Sequence, residues 1–402
     1  MTVHNDLPVA YHQQDTNYYC GAACAQMVLN ELGHWYPTQN GLYNDNHSHS
    51  VAETGWYTGP DGLQWTMNHR QHTKYFALDA LASEDAISRM IVWTIHHYKV
   101  APIALVYGSD HWIVVRGYTA TEHPKSSADT SYCIIAFDVN NPWPPSPSFY
   151  HKAPAHPPPH STTDNCGAGG SRGIANQHIS YTAWQSTYMT GVPSGYWGGK
   201  FVAVCDPDPP PTAPARLCRP PMERLMGDHL LISASQAKEQ AAKGLSAYEL
   251  DARQTVRTAL RQGDSATPVL VERLDQPNSY YYIVPYGDSS DIPLAVIVDG
   301  HTGLYSESIV RESGTENVLS LSHPEEARAK LIDRDIQLPG RLGRLHILQE
   351  TVSLHPTMVW KPCLESLSPY YPFHLFTSGG HQIYVRSDGE VFTTLHDQVR
   401  GA

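Results

Sequence analysis

Charge is scarce in this sequence. Acidic and basic side chains make up only 16% of 402 residues, and the 27 bases are outnumbered by 39 acids. A net charge of -12 argues against a nucleic-acid partner, whose phosphates would be repelled. No apolar run approaches the roughly 20 residues of a membrane-spanning helix. The opening stretch MTVHNDLPVAYHQQDTNYYC has neither a basic start nor an apolar core, so no secretory signal is expected there. The seven cysteines are too few and too scattered to frame a small disulfide-built fold, and their odd number leaves at least one outside any pair. The histidine pairs His96-His97 and His47/His49 show no metal-ligand spacing, and no cofactor is implied.

Hydrophobic residues reach 41%, enough for ordinary cores, and the length favours two domains. Residues 1–210 hold eight of the nine tryptophans but only 25 charged side chains; residues 211–402 hold one tryptophan and 41 charged side chains. The proline-dense stretch 205–221 stiffens the chain between them. The expected organisation is a first domain over 1–206, a linker over 207–221 and a second domain over 222–402. A second proline-rich stretch, 141–173, reads as a long surface loop inside the first domain.

In the first domain, small and apolar residues at helical spacing predict a helix over 20–33. A second is predicted over 80–98 with Ser83 as N-cap. Strands are predicted at 101–108, 111–119, 132–139 and 200–206. In the second domain, helices are predicted over 249–263 and 324–335. Strands are predicted at 267–275, 279–287 and 293–308, and a hairpin over 379–395. Helix first and sheet afterwards makes the fold class α+β.

Four residue types in the first domain point to thiol chemistry. Cys20 sits directly before a helix, whose dipole favours a thiolate. Gln14, six residues upstream, supplies an amide donor which, with the Cys20 N–H, would form a two-donor oxyanion hole. His111 heads a strand and can serve as the base. Asn141 can accept from one ring nitrogen of that histidine and fix its tautomer. Asp138 competes for this orienting role, and Trp143 can shield the bond from water. Gly21 allows close approach to the sulfur, and Ala22 and Ala23 keep the first turn slim. Taken singly, each has a plainer reading: a buried small hydrophobe for cysteine, a strand-end histidine, a turn asparagine. Cys24, one turn after Cys20, reads as a core thiol.

In order, QDTNYYCGAACAQMVLNELG, APIALVYGSDHWIVVRGY and IIAFDVNNPW resemble the papain-like cysteine peptidases. The nearest branch is the double-glycine-leader (bacteriocin-processing) peptidases. The resemblance covers residues 8–206. It implies Cys20 as nucleophile, His111 as general base, Gln14 as oxyanion donor and Asn141 at the position where that branch has aspartate. It further implies a bacterial thiol protease acting on a protein or peptide substrate. Departures are the longer spacing from His111 to Asn141 and the proline-rich loop after Trp143. An acyltransferase or transglutaminase-like enzyme, or an inactive binding protein on the same fold, are the rival expectations. The stretch YYYIVPYGDSSDIPLAVIVDGHTGLYSE is similar to PepSY-type units, although an unrelated α+β accessory domain fits it as well. The Asp299–Gly303 turn in that stretch needs only the residues a tight hairpin requires.

Overall fold

The structure is a computed structural model. It describes residues 2–33, 37–143, 174–216, 218–225, 230–288, 291–311, 319, 321–338 and 343–397. The proline-rich loop from residue 144 to 173 lies outside the described residues. The chain is α+β and divides into two compact units, Met1–Pro221 and Met222–Gln398. The boundary falls at the far end of the segment read as a linker, and that segment counts with the first unit.

The first unit opens with β1 (Val3–Asp6) and then α1 (Cys20–Glu31). Every residue of α1 from Cys20 to Leu29 is buried, as expected for a helix of small and apolar side chains enclosed on all faces. Two helices follow, α2 (Gln39–Ser48) and α3 (Pro60–His69). Neither was legible in the sequence, since α2 is rich in Asn and Gly, which favour turns and caps over helix interiors. Next come β2 (Ala77–Leu81), α4 (Glu84–Trp93), β3 (Ile103–Val106), β4 (His111–Ala120) and β5 (Ile134–Asn141). The unit is completed by β6 (Ile174–Ser180), the single turn α5 (Tyr181–Ala183) and β7 (Phe201–Cys205).

The expected helix over 80–98 is corrected at both ends. Residues 80 and 81 belong to β2, and the chain after Trp93 widens into a π-helical turn, Thr94–Tyr98. Ser83 does cap α4, accepting from the Ala86 N–H.

The strands form an antiparallel sheet in the order β6-β5-β4-β3-β7-β2. Strand β4 is its organising element. One edge pairs with β3 over residues 111–114 and with β1 over 117–120. The other edge pairs with β5 only from Val114 onward. The head of β4 therefore extends past the end of β5, and α1 packs there. A disulfide joins Cys133 to Cys218, 85 residues apart. Beside it Arg216 donates its backbone N–H to Thr130 O and its guanidinium to Ser131 O. The proline-rich segment is thus tied to the unit it follows.

The second unit begins with α6 (Ala234–Ala247) and α7 (Gln254–Gln262). Ser233 and Gln236 form a capping box at the start of α6, a signature present in the sequence but not used in the reading above. Strands β8 (Val269–Arg273), β9 (Tyr280–Asp288), β10 (Asp291–Asp299) and β11 (Tyr305–Val310) make an antiparallel meander. The stretch 293–308 turns at Asp299–Gly303, as its residues suggested, between β10 and β11. Between them Asp299 Oδ1 accepts from the N–H groups of His301 and Thr302 and from the Thr302 hydroxyl. After α8 (Pro324–Ala329) come the small pair β12 (Asp335–Gln337) and β13 (Arg344–His346). Strands β14 (Thr357–Trp360), β15 (Phe373–Ser378), β16 (His381–Arg386) and β17 (Val391–Phe392) continue the sheet, with β14 parallel to β8. Among the described residues, no helix is long and apolar enough to cross a membrane.

Two predictions follow from the first unit. Closing a loop of this length restricts the unfolded chain, so Cys133→Ser/Cys218→Ser is expected to lose about 2–4 kcal/mol of stability. Urea unfolding of the first unit reads this directly, and an unchanged midpoint overturns it. The second concerns Asp79 on β2, whose carboxyl is raised from the ordinary 3.8 to about 7, chiefly by burial and then by the charge of Asp206. A carboxyl raised in the fold stabilises fully below its unfolded value and loses that contribution as pH rises through about 7. The melting temperature of Asp79→Asn should therefore fall less than that of the unaltered protein between pH 4 and 7, measured by scanning calorimetry; parallel curves overturn the assignment.

Candidate active site

Helix α1 starts without help. Tyr19 occupies the N-cap position with no side-chain cap, and the first turn holds no acidic residue. First-turn amides left uncapped in this way favour an anion placed among them. Cys20 is the first helical residue and is fully buried. The Trp112 N–H donates to its Sγ at 3.3 Å. Burial pushes the thiol well above the ordinary cysteine range, against the opposing pull of the Trp112, Gly21 and Cys20 amides. Desolvation therefore wins, and in this enclosed state the sulfur is a neutral thiol.

The donor to Cys20 is the amide that joins His111 to Trp112, so the head of β4 brings His111 next to the nucleophile candidate. His111 is fully buried, and its Nε2 lies 2.8 Å from Asn141 Oδ1. The same oxygen accepts the Trp143 N–H at 3.1 Å. A backbone N–H can only donate, so the Asn141 atom facing both groups is its oxygen. His111 Nε2 must then carry a proton and donate it. The tautomer is set by two donors converging on one acceptor.

Gln14 joins this arrangement through its backbone. Its N–H donates to Pro142 O at 2.9 Å, immediately beyond Asn141. Gln39, at the start of α2, grips both sides of Gln14. Its Nε2 donates to Gln13 O and its Oε1 accepts the Asp15 N–H. No sequence signal marked Gln39, because the irregular segment it clamps has no periodicity. The Gln14 side chain differs from expectation: its Nε2 donates to Thr16 O at 2.8 Å. Any oxyanion role falls to the second hydrogen of that amide, or requires the side chain to turn.

Asp138 and Trp143 complete the set of candidates. Asp138 does not orient His111; it lies in register between Gly117 and His178, with Oδ2 3.7 Å from His4 Nδ1. Trp143 is buried beside the pair, and its backbone N–H donates to the Asn141 oxygen. The Tyr107 ring lies near the imidazole, at 6.4 Å between centroids and 21° between planes. Access to the sulfur is not open as the slim first turn suggested. A Cβ added to Gly21 would meet Thr58 Cγ2 at 2.6 Å, so the close neighbour that glycine admits is the chain itself. Thr58 is held there by its carbonyl, which accepts from Trp112 Nε1 at 3.2 Å.

The histidines that carried no metal spacing serve as structural groups. His47 Nδ1 bonds Trp56 O and Tyr57 O; His96 and His123 both meet the Tyr118 hydroxyl. Among the described residues, no cluster of His, Cys, Asp and Glu is arranged to hold a metal ion.

The Thr58 contact makes Gly21→Ala a sharp test of the packing. The added methyl forces Thr58 or α1 to move, at about 1–3 kcal/mol. Chemical unfolding should show that loss, and Thr58→Ala/Gly21→Ala should recover part of it, since the Thr58 Cβ at 2.9 Å remains. An unchanged stability of the single variant would refute the contact. Comparison of the chain with protein-family models, with curated proteins and with solved structures finds no match in any of the three.

Proposed function

We propose that the first unit is a papain-like cysteine peptidase that hydrolyses peptide bonds of a protein or peptide substrate. One observation carries the reading: three hydrogen bonds, each made by a candidate residue or its chain neighbour, draw four candidate residues together. Trp112 N–H touches Cys20 Sγ, its neighbour His111 donates to Asn141, and the next residue, Pro142, accepts from Gln14. The combination of a thiol at a helix start and an imidazole oriented by an amide oxygen suits nucleophilic acyl chemistry.

In this mechanism Cys20 Sγ attacks the substrate carbonyl carbon and its proton passes to His111. Nε2 is committed to Asn141, so Nδ1 is the nitrogen assigned to this exchange. The Cys20 N–H and the Gln14 amide stabilise the oxyanion. The C–N bond breaks as His111 returns the proton to the leaving amine. Water then attacks the thioester, giving its proton to His111, and the acid and the thiol are released.

The enclosed state keeps the sulfur protonated. A substrate reaches it once Thr58 withdraws from Gly21, and hydration of the opened site lowers the cost of ionising the thiol. The Cys133–Cys218 bond fits a protein that works in an oxidising compartment. The resemblance of the second unit to PepSY-type units assigns it an accessory role.

Cleavage of a peptide library, read by mass spectrometry, tests the reading. Cys20→Ala and His111→Ala should abolish turnover. Asn141→Ala should reduce it by about 10–100-fold without eliminating it, since orienting the imidazole supplies part of a general-base effect of about 10²–10⁴-fold. Undiminished cleavage by Cys20→Ala would overturn the mechanism.

A further inference from the structure

Cys24 has no part in the mechanism above, yet it touches the same backbone as the nucleophile. Its Sγ–H donates to Trp112 O at 3.3 Å, while the Trp112 N–H donates to Cys20 Sγ at 3.3 Å. A single strand residue is thus held at both of its polar backbone groups by two sulfurs one helical turn apart. The geometry matches on both sides. Residues i and i+4 share a helix face, with a rise of about 6 Å. The N–H and C=O of one extended residue point to the same edge of its strand.

That edge is the one β5 leaves unpaired. The ladder with β5 begins at Val114, two residues further on. Val115 donates its N–H to Pro102 O on the β3 side, so by alternation Trp112 faces the β5 side. With no strand opposite it, the orientation of Trp112 is set by α1. Cys24 is fully buried, and burial together with the nearby Cys20 raises its thiol well above the ordinary range. It therefore keeps its proton and remains a donor.

We infer that Cys24 is a positioning residue for the thiol site: its S–H anchors the Trp112 carbonyl and so aims the Trp112 N–H at Cys20 Sγ. The inference rests on reading Cys20 as the nucleophile. The donated N–H favours the thiolate over the thiol. The same anchor places the His111–Trp112 peptide, and with it the origin of the imidazole. No covalent step is assigned to Cys24, and it contacts neither the imidazole nor the oxyanion donors in any recorded bond.

The test uses the whole chain and no peptide substrate. The rate of Cys20 alkylation by iodoacetamide is followed against pH, with fragment-ion mass spectrometry separating Cys20 from Cys24. Cys24→Ala removes the donor; Cys24→Ser keeps one. The rising limb of the profile should move upward by about one pH unit in Cys24→Ala, a tenfold loss of reactivity at a fixed pH below it. Cys24→Ser should stay close to the unaltered protein. If Cys24→Ala does not fold, Cys24→Val, which fills the space without a donor, replaces it with the same expectation. A profile unmoved by loss of the donor, or moved equally by Ser and Ala, overturns the inference. A positioned thiol on a chain that cleaves no peptide would fail the peptidase reading alone, so the two failures are distinguishable.

Discussion

The contact between the Trp112 backbone and α1 is the one on which the rest of the first unit depends. It fastens a helix buried from Cys20 to Leu29 to the one stretch of β4 that has no second strand beside it. Had the Trp112 N–H and C=O been left without partners in the core, each would cost about 1–3 kcal/mol. Sulfur is a weak acceptor and S–H a weak donor, so the clamp is soft. It nevertheless satisfies both groups and sets the distance between helix and sheet. His111 and its link to Asn141 follow from that placement.

The electrostatics of the site is a contest between burial and donors. Three backbone amides favour a negative sulfur, and enclosure in an apolar interior disfavours it. In the closed state enclosure is the larger effect. The balance reverses only if water or a polar substrate replaces the apolar cover, because the amides stay in place while the desolvation penalty falls. Thr58 packs on Gly21, beside Cys20, and is anchored to the Trp112 indole. One tryptophan thus contacts both: its backbone N–H meets the sulfur and its ring holds Thr58.

The two units are stabilised by different means. The first carries a covalent tie between the end of its proline-rich segment and the strand that leads to Asn141. The second relies on an antiparallel meander, a capping box and apolar packing around Leu331, Phe376 and Ile383. Tight turns in the meander use the residues turns require, as at Asp299, where one carboxylate oxygen collects three donors.

Much of this was legible in the sequence. Apolar periodicity located α1, α4 and strands β3, β4, β5 and β7 to within a few residues, because each buries a run of side chains whose spacing reports its geometry. The types and order of Gln14, Cys20, His111 and Asn141 were likewise visible, since residue chemistry is written locally. Helices α2 and α3 and the short strands β1, β2 and β6 were not, because their polar or brief segments gain stability from partners distant in the chain. The pairing of Cys133 with Cys218, the burial of Cys20 and the packing of Thr58 on Gly21 were all decided by tertiary structure. Each depends on which surfaces meet across tens of residues, and no local pattern encodes that distance.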